Sequence, residues 1–230
     1  MLRYCATLLA SLLLFGGTSH AIIILQADLT NDQENPPVGT LALPLLTGTG
    51  SPNPSAPRPA SFGTATFELD DAMTALTFTA TVFNIDFTTS QTPGINDNLV
   101  AAHIHAGPLA VRGINGPVVW GFFGMPFNDN MPNNTVILPF ATGVGGTVIG
   151  TWDLPEGNST MANPNVTLAT QLPFILTGRS YINFHTTQFA GGEVRGQLNV
   201  IPEPSTILLL SLGALGLMVG FRPRSRRRSQ

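Results

Sequence analysis

The stretch YINFHTTQFAGGEVRGQL, residues 181–198, decides the fold of this chain. Apolar and polar side chains alternate along it, with Ile182 and Phe184 on apolar positions, and the alternation resumes after Gly191 and Gly192. Side chains that alternate with period two lie on opposite faces of a strand. The stretch therefore predicts a β-hairpin that turns at the two glycines. Its polar positions are Tyr181, Asn183 and His185 before the turn, and Glu193, Arg195, Gln197 and Asn199 after it.

The same alternation returns outside this hairpin, in FGTATFEL (62–69) and LTFTATVF (76–83), where threonines occupy the polar positions. Asp70 and Asp71 lie between the two segments and predict a turn. A second hairpin with one solvent-exposed face is therefore expected. A short helical turn fits only between 163 and 172. The remaining pattern predicts an all-β, antiparallel sandwich or partly closed barrel. Its other short strands are expected at 22–29, 99–108, 118–123, 136–140 and 147–152.

Residues 1–21 have the features of a secretory signal peptide. Arg3 precedes an apolar core at 8–15, and the segment ends in Ser19 and Ala21, which predicts cleavage after Ala21. An uncleaved anchor is the alternative, but the apolar run is short for a membrane span. The single cysteine of the chain lies in this segment, so no disulfide is expected in the exported protein.

The other end of the chain carries a second targeting pattern. Pro202, Glu203 and Pro204 precede an uncharged apolar stretch at 205–221, which five arginines follow between 222 and 228. As a helix the stretch would be about 25 Å long, just enough to cross a thin or locally thinned bilayer, and the inner membrane is the one expected. The arginines are expected to stay on the cytoplasmic side. An ordinary tail anchor is an alternative, whereas the apolar span argues against a basic nucleic-acid-binding tail.

Charge and motifs exclude several classes of function. Between residues 22 and 200 the chain has four arginines, no lysine and twelve acidic residues, which gives a formal net charge of −8. Nucleic acid is therefore not expected as a partner, because phosphate backbones attract basic surfaces. The sequence also has no G-x-S-x-G elbow, no phosphate-binding Walker loop and no cysteine nucleophile outside the signal peptide. We expect no enzymatic activity.

Three histidines outside the signal peptide are candidate metal ligands. His103 and His105 lie two residues apart, so they share one face of a strand, and His185 lies on the polar face of the hairpin. Three imidazoles with a water form an accepted zinc site, and imidazole also suits copper. Asn183 is a candidate hydrogen-bond partner for such ligands.

A structural interpretation of this polar row competes with the metal site, and we favour it at this stage. Histidine, asparagine and glutamine side chains can satisfy one another without an ion. Glu193 and Arg195, two residues apart, are expected to form a surface salt bridge. An arginine close to the imidazoles would also repel a dication. On this interpretation the protein needs no cofactor.

Several motifs resemble the CHRD domain, the module named after chordin. They are AHIHAGP (102–108), NGPVV (115–119), YINFHT through GEVRGQL (181–198), and Gln33, Glu34, Pro36 and Pro37 near the start. The resemblance covers residues 22–200, with the proline-rich segment 41–60 as an insertion. It implies an immunoglobulin-like β-barrel with faint similarity to copper/zinc superoxide dismutase, and a role in binding. The dismutase ligands themselves are not matched, because only three histidines and no cysteine remain after the signal peptide.

The C-terminal segment 201–230 resembles the PEP-CTERM sorting signal. The resemblance implies a Gram-negative bacterium, an exosortase-type enzyme that recognises the motif, and removal of the tail after an inner-membrane intermediate. The protein is thus expected to be a non-enzymatic CHRD protein of the cell surface or exopolysaccharide matrix, with an extracellular partner. The alternative is a zinc or copper protein that uses His103, His105 and His185.

Overall fold

The computed structural model describes residues 22–37, 59–202 and Leu212. The predicted signal peptide, residues 1–21, and its predicted cleavage site lie outside the described residues. So does most of the proline-rich segment 41–60. Among the residues described, no helix combines the length and the apolar character needed to cross a membrane.

The C-terminal predictions fall almost entirely outside the described part. Pro202 is described, whereas Glu203 and Pro204 are not. The apolar stretch 205–221 is described at Leu212 alone. The membrane span and the arginine tail therefore stay predictions from the sequence.

In the part of the chain that the structure describes, ten antiparallel strands form one sheet, which confirms the all-β, antiparallel prediction. Their order across the sheet is β5-β4-β8-β9-β1-β2-β3-β7-β6, with β10 also paired to β1. Helix α1 (Leu168–Ile175) accompanies these strands, and a 3-10 turn covers Asn31–Gln33. The strands are β1 (Ile23–Thr30), β2 (Phe62–Leu69), β3 (Ala75–Phe83), β4 (Leu99–Ala106), β5 (Val118–Phe123), β6 (Val136–Pro139), β7 (Gly145–Asp153), β8 (Ser180–Thr186), β9 (Val194–Gln197) and β10 (Asn199–Ile201).

The hairpin predicted at 181–198 is formed by β8 and β9. Phe184 lies opposite Val194, and Tyr181 lies opposite Gln197. The connection includes Gly192, whose φ of 128° is one that residues with a side chain rarely adopt. A Cβ at this position would also lie 2.7 Å from side-chain atoms of both Asn183 and Glu34. Glycine is therefore required here for backbone conformation and for space.

The sheet curls into a half-barrel, because side chains from its two ends meet in the core. Trp120 on β5 stacks on Trp152 on β7, with ring centroids 5.7 Å apart and an interplanar angle of 9°. Phe78 on β3 meets Trp120 edge-on at 6.0 Å and Phe122 at 4.8 Å. The predicted sandwich or partly closed barrel is thus a single sheet bent around one aromatic core.

Glu156 connects the two ends of this sheet. Its side chain is 2 % exposed, and its Oε2 accepts a hydrogen bond from the indole of Trp120 at 3.1 Å. Its Oε1 accepts from the backbone amides of Asn130 and Met131, both at 2.6 Å. Its carbonyl accepts from the indole of Trp152 at 2.8 Å. One residue therefore bonds both stacked tryptophans and the loop after β5.

The two halves of the sheet differ in how their faces are covered. In β2 exposed and buried residues alternate strictly, as the sequence predicts. All seven residues of β8, in contrast, are buried. The polar row is covered because the segment 107–117 lies over it and bonds to its side chains, including those of Tyr181 and Arg195. Alternation in a sequence marks polar positions but cannot distinguish water from a covering loop.

The short helix also differs from its prediction. It was expected between 163 and 172, with Pro173 as its limit, but α1 spans Leu168–Ile175 and includes that proline. Proline inside a helix removes one backbone donor and crowds the carbonyl four residues earlier. The helix nevertheless includes Pro173 and ends two residues after it.

Candidate metal centre

The structure brings the three predicted histidines together. His103 and His105 lie on β4, and His185 lies on β8, directly hydrogen-bonded to β4 with Ala101 opposite His185. One ring nitrogen from each of the three residues lies within 4.8 Å of the other two. The side chains are nearly buried, with exposures of 4 %, 8 % and 7 % in chain order. Sequence spacing placed the first two on one face, but only the strand pairing supplies the third.

Each imidazole is oriented by a backbone carbonyl. Nε2 of His103 is 3.0 Å from the carbonyl oxygen of Met125, and Nδ1 of His105 is 2.9 Å from that of Gly116. Nδ1 of His185 is 3.0 Å from the carbonyl oxygen of Ala190. A carbonyl oxygen can only accept, so each of these ring nitrogens carries the hydrogen. The other nitrogen of each neutral ring then bears a lone pair.

Two of these nitrogens face each other without a proton to share. Nδ1 of His103 and Nε2 of His185 are 3.1 Å apart. Nε2 of His105 is buried and has no hydrogen-bond partner among the described residues. Two facing lone pairs repel, and a buried nitrogen without a partner is costly. A cation between the three nitrogens would satisfy all of them, and an outer carbonyl on each histidine is the usual arrangement around a metal.

Burial keeps the imidazoles neutral. Together with the smaller effect of the neighbouring His185, it lowers the pKa of His103 from 6.5 to about 4. Burial also lowers the pKa of His105 to about 3, and it lowers the pKa of His185. All three are therefore uncharged near neutral pH. Neutral imidazole is the form that binds metal ions.

Tyr181 and Arg195 support the cluster from one side. The ring of His105 stacks on that of Tyr181, with centroids 4.5 Å apart and an interplanar angle of 9°. The guanidinium carbon of Arg195 lies 3.4 Å from the centroid of the same tyrosine ring. Arg195 donates hydrogen bonds to the carbonyls of Val111 at 2.7 Å and Ile114 at 3.0 Å. It therefore holds the segment 107–117 over the histidines.

The predicted surface salt bridge between Glu193 and Arg195 was wrong, because neither residue reaches the surface. Both are 0 % exposed. The carboxylate of Glu193 accepts hydrogen bonds from the hydroxyls of Ser61 and Thr186. Two charged residues with i and i+2 spacing share a face, but here that face is interior.

Asn183 does not take the predicted role of a partner to a histidine. Its side-chain amide donates to Oε2 of Glu34 at 3.5 Å, and its own Oδ1 is buried without a partner in the described part. Burial raises the pKa of Glu34 to about 8, although the charge of Arg195 opposes this rise. Sequence reasoning missed the buried position of Glu34, because its flanking prolines and polar residues are typical of a surface loop.

Acid should destabilise the metal-free protein through these histidines. Below their ordinary pKa of 6.5 the unfolded chain takes up protons, whereas folded His103 and His105 resist protonation down to about 4 and about 3. Stability is therefore present above pH 6.5 and lost as the pH falls, by about 1.4 kcal/mol per pH unit for each histidine. In the variant His105→Phe the free energy of unfolding should fall less steeply between about pH 6 and about pH 4. The difference in slope from wild type should be about 1.4 kcal/mol per pH unit, the contribution of one histidine.

Urea unfolding at several pH values, with a chelator present, measures this effect. Tyr181→Phe, in the same layer, is the matched control and should keep the wild-type pH dependence. Equal slopes for wild type and His105→Phe would mean that His105 is not held neutral by the fold.

Comparisons with known proteins agree with the motifs. The sequence model of the CHRD domain matches residues 25–198. The model of the PEP-CTERM protein-sorting motif matches residues 200–227. No curated protein and no solved structure matches the chain.

Proposed function

Because the chain belongs to the CHRD domain family and ends in a PEP-CTERM sorting motif, we propose that it is an exported, non-enzymatic module that holds one zinc or copper ion. The sorting motif marks the protein for an exosortase and for the cell envelope or exterior. The metal ion would lie between His103, His105 and His185. A metal role accounts for the orientation of the imidazoles better than the purely structural interpretation of the polar row does.

The orientation of the imidazoles carries this proposal. All three outer nitrogens are bonded to carbonyls, so the remaining nitrogen of each ring is free to donate an electron pair. One ring nitrogen of each histidine lies within 4.8 Å of the other two. A polar row that satisfied itself would leave no such set of lone pairs. Here the facing pair is 3.1 Å apart, and the third nitrogen has no partner in the described structure. Three nitrogen donors, with a fourth position open, fit zinc and copper.

Metal analysis of the exported protein tests the proposal. Protein purified without chelators and dialysed should retain about one equivalent of zinc or copper, as three histidines and one open position require. The variant His185→Asn should lose affinity by more than the ~10–100-fold that removal of an outer partner costs. Tyr181→Phe is the matched control and should bind like the wild type.

Two results would contradict the metal role. One is wild-type protein that retains neither metal after dialysis, with thermal unfolding unchanged by added ions. The other is His185→Asn protein that binds as tightly as the Tyr181→Phe control. Either result would return the three histidines to a structural role.

We also propose that the sorted protein contacts the extracellular matrix through the outer face of β2, β3 and β7. That face carries threonine hydroxyls in register, including the pairs Thr77 with Thr151 and Thr81 with Thr147 at 3.0 and 3.1 Å. Hydroxyl groups both donate and accept, which suits a hydrated, hydroxyl-rich polymer such as an exopolysaccharide. The family supports a binding role, and the motif supports removal of the tail in a Gram-negative host.

A further inference from the structure

The candidate site offers electron-pair donors to a metal ion but no negative charge. Its cluster contains His103, His105 and His185, and no carboxylate joins them among the described residues. The only cysteine lies in the signal peptide, so no thiolate is available after cleavage. The three imidazoles are neutral. A bound ion would therefore keep its full charge in a nearly buried position.

Burial without compensating charge favours an ion of low charge. The cost of transferring an ion from water to a poorly polarisable interior grows with the square of its charge, so a dication costs about four times as much as a monocation of similar size. Arg195 adds to this cost because its positive charge acts on His105. Of the two metals that suit imidazole, copper alone has a stable monovalent state.

One exposed methionine is bonded through its backbone to a candidate ligand. The four methionines that the structure describes are all exposed: Met73 at 44 %, Met125 at 80 %, Met131 at 57 % and Met161 at 103 %. Methionine is normally a core residue, and its thioether is a soft ligand that selects monovalent copper. The carbonyl of Met125 accepts the hydrogen bond from His103, so this methionine is anchored directly against the candidate ligands.

The loop that carries Met125 is held tightly in place. A Cβ at Gly121 on β5 would lie 1.8 Å from the carbonyl oxygen of Pro126 and 3.1 Å from a ring carbon of His103. No side chain fits between the loop and the strand. Met125 therefore stays next to the outer nitrogen of His103, while its side chain is 80 % exposed to solvent.

Building on the metal role above, we propose that the site selects monovalent copper over zinc and divalent copper, and that Met125 is the exposed thioether that captures the ion. The ion passes from the sulfur to the three inner nitrogens without a change of oxidation state. Thioether capture also suits an exported protein, because methionine sulfur forms no disulfide in an oxidising compartment.

Competition for metal tests the selectivity. Monovalent copper is supplied anaerobically to the exported protein against a chromophoric chelator, and zinc and divalent copper are titrated in parallel. We expect monovalent copper to bind at least about a hundredfold more tightly than either dication. If a dication binds equally or better, the selectivity is wrong while the metal role stands. If no ion binds, the metal role itself fails.

Loading kinetics test the capture role. Met125→Leu should take up monovalent copper about tenfold more slowly than wild type, at unchanged stoichiometry, which is the lower end of the effect expected for a group next to the ligands. Met131→Leu, a matched change of another exposed methionine, should load at the wild-type rate. Leucine has a similar volume, and both side chains are exposed, so neither variant should affect folding. Equal rates for Met125→Leu and wild type, or equal slowing of both variants, would overturn the capture role.

Discussion

Replacement of Glu156 by alanine is expected to lower the free energy of unfolding by about 3–5 kcal/mol, because it removes a buried acceptor and leaves three buried or half-buried donors without a partner. Those donors are the indole of Trp120 and the backbone amides of Asn130 and Met131. The two tryptophans of the chain both bond to Glu156, so urea unfolding followed by tryptophan fluorescence reports on this point directly.

Matched variants separate the role of Glu156 from a general effect of charge removal. Glu68→Ala, on the exposed face of β2, should change stability by no more than about 0.5 kcal/mol. Glu156→Gln keeps one acceptor oxygen and should fall between the two. If Glu156→Ala were as stable as Glu68→Ala, the two ends of the sheet would have to be held by aromatic packing alone.

Replacement of Arg195 by methionine has the second largest expected effect, a loss of about 2–4 kcal/mol. Methionine fills part of the space but donates nothing to the carbonyls of Val111 and Ile114, which the guanidinium now reaches. The segment 107–117 should then open, and amide hydrogen exchange there should speed up. The variant Arg195→Lys should regain little of the lost stability, because an ammonium group cannot reproduce the planar set of donors of a guanidinium.

Arg112 provides the control for this experiment, since it lies in the same segment and is exposed. It pairs with Asp32 at 3.0 Å, and the two side chains are 68 % and 64 % exposed. Exposed pairs of this kind contribute about 0–1 kcal/mol. Arg112→Met should therefore leave exchange in 107–117 nearly unchanged. Equal effects of the two substitutions would show that Arg195 does not hold the segment down.

The sequence was sufficient for the sheet because alternation is a local property. The hairpin of β2 and β3 shows this most clearly, since Phe67 lies opposite Phe78 and every outward position of β2 is exposed. Period two also placed His103 and His105 on one face. These features depend on residues two apart along one strand, which a sequence displays directly.

What the sequence could not show depends on contacts between distant residues. His185 reaches His103 only because β8 pairs with β4, and the register of that pairing is fixed by the whole sheet. Glu156 looks like an ordinary loop acid, and its two tryptophan partners are identified only when the sheet curls. Arg195 looks like a surface residue until the segment 107–117 is placed over it.

The pairing of the first strand with the last constrains the order of events during export. β1 is flanked on one side by β2 and on the other by β9 and β10, with Ile24 opposite Ile201. The sheet cannot be completed until nearly the entire domain has emerged from the translocation channel, since contacts this far apart in the chain form late. Both ends of the folded domain also leave it side by side. Attachment through either end would therefore fix the domain at the same side. In both cases the surface on the far side would face the surroundings.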